Sequence, residues 1–196
     1  MLIEPDPRPD TADAFAQWRD HQTRAWGYVP NYAGLFASRP DVAEAWTRLN
    51  LAVRNGMDRR RFELVTIAAA RSRASTYCVA AHSSFLRDVC DDEQTMLDLT
   101  SDPSGASLDP VDQVLVAFAA KAATDPASIV ASDVAALREQ GLSDADVADV
   151  VFAVAARCFF ATVLDAGGAQ ADAALATGFD DETRTRLTVG RPFAEA

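Results

Sequence analysis

Residues 61–82 read RFELVTIAAARSRASTYCVAAH, and three of their side chains, Glu63, Cys78 and His82, suit acid–base and nucleophilic chemistry. Cys78 and His82 are four residues apart, which on a helix puts them on one face, about 6 Å apart along the axis. A thiol beside an imidazole near a helix start is a setting that favours a reactive thiolate. The stretch therefore points to a thiol site carried on a helix.

Ser75 is a favoured residue type for a helix N-cap, and we expect its hydroxyl to accept a backbone N–H two or three residues on. Cys78 would then occupy the third helical position, in the positive end of the helix dipole, where an anion is stabilised. A protonated His82 would add to that stabilisation. On one continuous helix Glu63 would lie roughly 22 Å from Cys78, so it reaches the thiol only if the chain turns near residues 71–74.

A structural interpretation of the same residues stays open. A single cysteine on an apolar helix face is more often an inert core residue, and a nearby histidine is often structural. We interpret Cys90 and Cys158 as core residues. Cys90 lies about 18 Å beyond Cys78 along a helix, too far for a disulfide while that helix is intact. Cys158 could approach Cys78 from another helix.

The composition excludes several classes of protein. The chain has 196 residues, 49% hydrophobic and 24% charged, which predicts a folded protein with a real core. Its net charge of −11 argues against nucleic acid and anionic membrane surfaces as partners. Three widely spaced cysteines without a Cys-x-x-Cys pair fit neither a disulfide scaffold nor a zinc site, and we expect no metal and no cofactor. We also expect no bilayer-spanning run, no signal peptide and a cytoplasmic location.

Helical periodicity dominates the chain, and no strand pair or hairpin pattern is evident. We predict an all-α fold of about eight to nine helices in a single domain over residues 1–196, with the thiol motif within 58–90. Residues 1–10 are predicted to form a flexible or draped arm. Predicted helix ends include Gly27, which stops a helix, and Asp58, which caps one. Ser143 with Asp146 resembles a capping box.

Other conspicuous side chains receive plainer interpretations. His21 has polar neighbours and is predicted to lie on the surface. Arg59-Arg60-Arg61 is predicted to be a solvated helix start or an oligomer contact. Three tryptophans at helical spacing are assigned to the core or to a subunit interface rather than to a ligand cage; they are Trp18, Trp26 and Trp46.

The stretches 61–70 and 75–82 resemble the alkylhydroperoxidase D-like branch of the carboxymuconolactone decarboxylase superfamily. Softer similarity runs from about residue 25 to about residue 175. The resemblance implies an alkylhydroperoxidase D-like helical bundle, a homo-oligomer (dimer, trimer or hexamer) and reduction of hydroperoxides, with peroxidase, peroxiredoxin-type and antioxidant activity. It implies that Cys78 attacks the peroxide while His82 and Glu63 relay protons. We expect Ser75 and Tyr77 to be supporting residues. The partners expected are a small hydroperoxide and an external thiol reductant.

One departure from the family pattern matters. Ser75 stands where the family has its first cysteine, which resolves the oxidised thiol as a disulfide. Either Cys78 works alone and its sulfenic acid is cleared by an outside thiol, or Cys158 substitutes, or peroxidase activity is lost. Two rivals to a thiol peroxidase remain: a decarboxylase-like or other proton-transfer enzyme that uses His82 and Glu63 on a small carboxylated substrate, and a non-catalytic oligomeric module.

Overall fold

The computed structural model describes residues 1–195, which form ten α-helices and two short 3-10 helices and contain no strand. Nine of the α-helices have seven or more residues, so the predicted all-α fold of eight to nine helices is confirmed. The α-helices are α1 (Ala12–Trp26), α2 (Pro40–Asn55), α3 (Arg59–Ser72), α4 (Thr76–Asp88), α5 (Glu93–Ser101), α6 (Pro110–Thr124), α7 (Ala131–Glu139), α8 (Asp144–Gly167), α9 (Ala173–Ala176) and α10 (Asp181–Leu187), and the 3-10 helices are Asn31–Phe36 and Pro126–Ser128.

Helix α3 is the centre of the hydrophobic core. Every residue from Phe62 to Ala70 is buried, and the helix packs against α4, α6 and α8. A helix that is apolar around most of its circumference is stable only when other helices surround it. Each large apolar side chain removed from water here contributes on the order of 1.5–3 kcal/mol to folding. The polar Glu63 is therefore held in a rigid, water-poor setting.

The chain reverses between α3 and α4, as the predicted turn near residues 71–74 requires. Ala74 adopts the left-handed conformation (φ 53°), and the Ser75 N–H donates to the Ala70 carbonyl at 3.0 Å. The C-terminal segment crosses this turn, where a Cβ on Gly190 would lie 1.8 Å from the Ala74 carbonyl oxygen. The reversal lays α3 and α4 side by side, so Glu63 can reach the residues of α4.

Most of the predicted helix ends are confirmed. Gly27 ends α1 with φ 79°, and the Asp58 carboxylate accepts the Arg61 N–H at the start of α3. Ser143 and Asp146 form the predicted capping box of α8. The predicted cap at Ser75 is wrong in part: the residue precedes α4, but its hydroxyl makes no cap hydrogen bond. Its ψ of 90° differs from the 167° of Ser143, whose hydroxyl does cap its helix.

Residues 1–10 lie outside the helices and drape over the end of α8, where the Leu2 N–H donates to the Gly167 carbonyl at 2.9 Å. Helix α8 corrects one expectation. By length and composition alone it is apolar enough to cross a bilayer, although no such run was predicted. Half of its most apolar window is buried within the protein, against other helices, as in the core helix of a bundle.

Candidate functional site

Glu63 of α3 and His82 of α4 form a buried acid–base pair. The His82 Nδ1 lies 2.5 Å from Glu63 Oε2, and Arg59 Nε donates to the other carboxylate oxygen at 2.5 Å. Burial, reinforced by the Arg157 guanidinium, lowers the pKa of His82 to about 4, although Glu63 opposes this shift. Burial also acts to raise the pKa of Glu63, but His82 and Arg59 outweigh it and hold that pKa below its usual range.

At neutral pH the pair is therefore a neutral imidazole bonded to a carboxylate. The Nδ1–H of His82 donates to Glu63, and Nε2 is left as the basic nitrogen of a ring that lines a cavity. This corrects the expectation of a protonated His82. The physical reason is that a second cation beside Arg157 in a buried site costs more than Glu63 can offset.

The positive charge at the thiol comes from Arg157 of α8 instead. Its Nη1 lies 3.5 Å from the Cys78 sulfur, and its Nη2 donates to Asn50 of α2 at 3.4 Å. The guanidinium also lies 5.6 Å from the centre of the Trp46 ring, within the range of a cation–π contact. Arg157 is 3% exposed and Cys78 is 2% exposed, so water screens this contact weakly.

Arg157 was not among the predicted site residues. One signal could have found it: Arg157 is the only charged residue between Val150 and Leu164 in the sequence of α8. A charge within such an apolar run is seldom tolerated in a buried helix unless it has a partner, so it marks a functional or paired position. Which partner it meets could not be foreseen, because Cys78 is 79 residues away in the chain.

The two supporting residues have separate surroundings. The Tyr77 hydroxyl donates to the Asp172 carboxylate, which also accepts the Asn31 N–H at 2.8 Å. Burial, together with Asp172, raises the pKa of Tyr77, so the phenol stays protonated and anchored. The Ser75 hydroxyl is buried and makes no hydrogen bond to Cys78 within the described part of the chain. Tyr77 therefore helps to form the wall behind the thiol, whereas Ser75 has no contact that assists it.

Cys78 and His82 both line a cavity of about 360 Å³. Seven aromatic rings contribute to its walls: Trp18, Trp26, Tyr32, Trp46, Tyr77, Phe85 and Phe160. The three tryptophans thus do more than the predicted core packing. Trp18 and Trp46 are buried in the core as expected, and all three also face the cavity. His21 is exposed, as predicted, and stands at the cavity rim.

The arginine cluster at the start of α3 is not a set of solvated charges. Arg59 pairs with Glu63, Arg60 with Asp92 and Asp112, and Arg61 with Asp146. The expectation of solvated charges was therefore wrong, because Asp92, Asp112 and Asp146 come within reach of Arg60 and Arg61 only in the folded chain. The alternative of an oligomer contact stays a prediction.

The other two cysteines lie outside the cavity. Cys90 and Cys158 are partly buried against the core, and all three cysteines are free thiols. The Cys158 sulfur lies 3.9 Å from the Ala123 carbonyl oxygen, on the side of α8 that faces α6. Cys158 follows Arg157 directly, and successive helical side chains point about 100° apart. It is therefore not positioned in the cavity with Cys78.

The candidate site lies in a stretch of sequence that matches a known family. Residues 40–99, which include Glu63, Cys78 and His82, match the carboxymuconolactone decarboxylase family. No curated protein matches the sequence.

Three solved structures share the whole fold. The alkylhydroperoxidase AhpD core of an uncharacterized peroxidase-related protein from Ralstonia eutropha JMP134 is 22% identical (TM-score 0.75), with 97% of this chain and 99% of that chain covered. A peroxidase-related protein from Silicibacter sp. TM1040 is 24% identical (TM-score 0.74), with 89% and 91% covered. The debrominase Bmp8, in complex with 2,3,4-tribromopyrrole, is 15% identical (TM-score 0.74), with 95% and 97% covered. The resemblance drawn from the sequence is thus confirmed at the level of fold and family motif.

Proposed function

We propose that this protein is a thiol-dependent enzyme that reduces organic hydroperoxides through Cys78. The proposal starts from two similarities: residues 40–99 match the carboxymuconolactone decarboxylase family, and the fold matches that of the alkylhydroperoxidase D core. The observation that carries the proposal is the setting of one sulfur atom. Cys78 meets a buried guanidinium at 3.5 Å and shares a cavity with a neutral imidazole that is hydrogen-bonded to a carboxylate.

In the first step, Nε2 of His82 accepts the proton of the Cys78 thiol, and the Arg157 guanidinium stabilises the thiolate that forms. Glu63 orients the imidazole through Nδ1 and stabilises the imidazolium. The thiolate then attacks the terminal peroxide oxygen. The S–O bond forms as the O–O bond breaks, and the imidazolium returns its proton to the departing alkoxide. The products are an alcohol and the Cys78 sulfenic acid.

Regeneration requires an outside thiol. Ser75 offers no second sulfur, and Cys158 lies on the side of α8 that faces α6, away from the cavity. An external thiol therefore condenses with the sulfenic acid to release water and leave a mixed disulfide. A second external thiol reduces that disulfide and restores the Cys78 thiol. The enzyme works in this scheme with one cysteine of its own.

The test is to expose the reduced protein to cumene hydroperoxide, trap sulfenic acid with dimedone and locate the adduct by mass spectrometry. We expect the adduct at Cys78, and hydroperoxide consumption in the presence of dithiothreitol. Cys78→Ser should lose both signals. Cys90→Ser is the matched control, because it removes a partly buried thiol outside the cavity, and it should keep both. An unmodified Cys78 in the wild-type protein would end this proposal.

A second candidate is thiol-dependent dehalogenation of a small aromatic ring. It is favoured by the ring-lined walls beside Cys78, where Trp46 and Phe160 stack at 4.6 Å, and by the fold shared with a debrominase. Halide release from a bromopyrrole, absent in Cys78→Ser, would support it. Full turnover of a small carboxylic acid by Cys78→Ala would instead favour the decarboxylase-like interpretation.

A further inference from the structure

We propose that the cavity binds an organic hydroperoxide that carries a carboxylate, and that Arg54 is the residue that holds this carboxylate. The proposal deepens the proposed function and rests on it for the reactive group. The identity of the anionic end, however, follows from the charges and contacts of the cavity itself.

The cavity has an unusual charge for this protein. The chain carries a net charge of −11, yet among the described residues that line the cavity there is no aspartate and no glutamate. Three arginines line it: Arg54, Arg59 and Arg157. A concave site walled by aromatic rings and cations favours a ligand with an apolar body and a negative charge.

Only one of these arginines is available to a ligand. Arg59 is paired with Glu63 at 2.5 Å, and Arg157 contacts both Cys78 and Asn50. Arg54 has neither an ion pair nor a side-chain hydrogen bond within residues 1–195, although it is only partly exposed. A guanidinium has five donors in a fixed fork that matches the two oxygens of a carboxylate. The geometry therefore leaves one complete carboxylate-binding group facing the cavity.

The position of Arg54 sets the length of the ligand. Thr47, Asn50, Leu51 and Arg54 form one face of α2, and all four line the cavity. Asn50 marks the thiol end of this face, because it contacts Arg157, which contacts the Cys78 sulfur. Arg54 lies one helical turn further along, about 6 Å by helix rise. A ligand that places its carboxylate on Arg54 and its peroxide at Cys78 therefore carries these two groups at opposite ends.

The size of the cavity agrees with a ligand of that kind. A volume of about 360 Å³ equals roughly a dozen water molecules at about 30 Å³ each. Hydrogen peroxide would leave most of this space to solvent against aromatic walls. A hydroperoxide with a ring or branched apolar body and a carboxylate at the far end would place the body against the aromatic rings and the charge on Arg54.

The binding experiment needs no chemistry at Cys78. The probes are para-isopropylbenzoate and its neutral amide, para-isopropylbenzamide, and the reporter is the fluorescence of the tryptophans that line the cavity. We expect the wild-type protein to bind the benzoate about tenfold more tightly than the amide, the usual order for a charge-assisted hydrogen bond. Arg54→Gln should abolish this preference.

Arg48→Gln is the matched control. Arg48 lies on the same helix, pairs with Glu44 at 3.7 Å and has a side chain that is 72% exposed. Its substitution changes the net charge by the same amount, so an effect of overall charge would appear in both variants. Equal binding of the two probes by the wild-type protein, no binding of the benzoate at millimolar concentration, or a preference that survives in Arg54→Gln would overturn the proposal.

A kinetic experiment separates this proposal from the proposed function. Cumene hydroperoxide and its para-carboxy derivative differ only in the charged group, and the rate of Cys78 oxidation is measured for each. We expect the carboxylated peroxide to react about tenfold faster at subsaturating concentration, and Arg54→Gln to remove the difference. If neither peroxide oxidises Cys78, the peroxidase function fails while the binding preference still decides the role of Arg54.

Discussion

Arg157→Met removes the positive charge that lies 3.5 Å from the Cys78 sulfur while keeping an unbranched apolar chain of similar length in its place. At an effective dielectric constant of about 20, two unit charges at that separation attract by about 5 kcal/mol. The guanidinium charge is spread over three nitrogens and both groups lose hydration, so we take about 2 kcal/mol as the net stabilisation of the thiolate. Since about 1.4 kcal/mol is a factor of ten, a reaction that passes through the Cys78 thiolate should slow roughly 30-fold.

The assay is the rate of Cys78 alkylation by iodoacetamide at pH 7, followed by peptide mass spectrometry so that Cys90 and Cys158 do not interfere. The rate should fall by about that factor, because the thiolate is the form that iodoacetamide alkylates. Arg157→Lys is the control that keeps the charge, and it should retain most of the wild-type rate. Folding should tolerate Arg157→Met, because the Nε of Arg157 is buried without a hydrogen-bond partner in residues 1–195. An unchanged alkylation rate in a folded Arg157→Met protein would refute the reasoning.

Glu63→Gln should slow peroxide-driven oxidation of Cys78 about a hundredfold, because His82 loses the carboxylate that orients it and stabilises its protonated form. The rate is measured by dimedone trapping over time. Glu44→Gln, at an exposed position, is the control and should leave the rate unchanged. Burial lowers the pKa of His82 in the folded protein to about 4, from 6.5 in the unfolded chain. The unfolded chain therefore takes up the proton first as the pH falls. The free energy of unfolding should drop by about 3 kcal/mol between pH 6.5 and pH 4. Urea unfolding at pH 7 and pH 4 tests this, and His82→Gln should show a smaller loss. Gly190→Ala should destabilise the fold by about 1–3 kcal/mol, because the added Cβ would lie 1.8 Å from the Ala74 carbonyl oxygen; an unchanged urea midpoint would contradict this.

Helical periodicity was a reliable guide to the elements because each helix obeys local rules. Gly27 ends a helix in the left-handed conformation, and the Ser143–Asp146 capping box forms between residues three apart. Ser75 marks where local rules failed. It has the right residue type and position for a cap, but the backbone around it follows the turn between α3 and α4 rather than the ideal cap geometry.

The site was predictable only as far as the spacing on one helix reaches. Cys78 and His82 share a face of α4 because helical spacing requires it, and Glu63 joins them once the chain turns at Ala74. The expectation that His82 is protonated was wrong, because its charge depends on burial and on Arg157. Neither can be inferred from the spacing of the motif residues. The solvated-charge expectation for Arg60 and Arg61 failed for the same reason, because their acidic partners lie outside α3.

By itself, then, the sequence determined the all-α architecture and the identity of three site residues, Glu63, Cys78 and His82, since side-chain periodicity, capping and turn chemistry act over a few residues. The tertiary structure alone decided which other side chains contact these three residues. Packing α8 against α2 and α4 brings Arg157 to the thiol and keeps the imidazole neutral. It also leaves a cavity with Arg54 at its edge, and Arg54 has no charged partner among residues 1–195. Contacts between residues some 80 positions apart depend on how helices pack, and no local pattern records that.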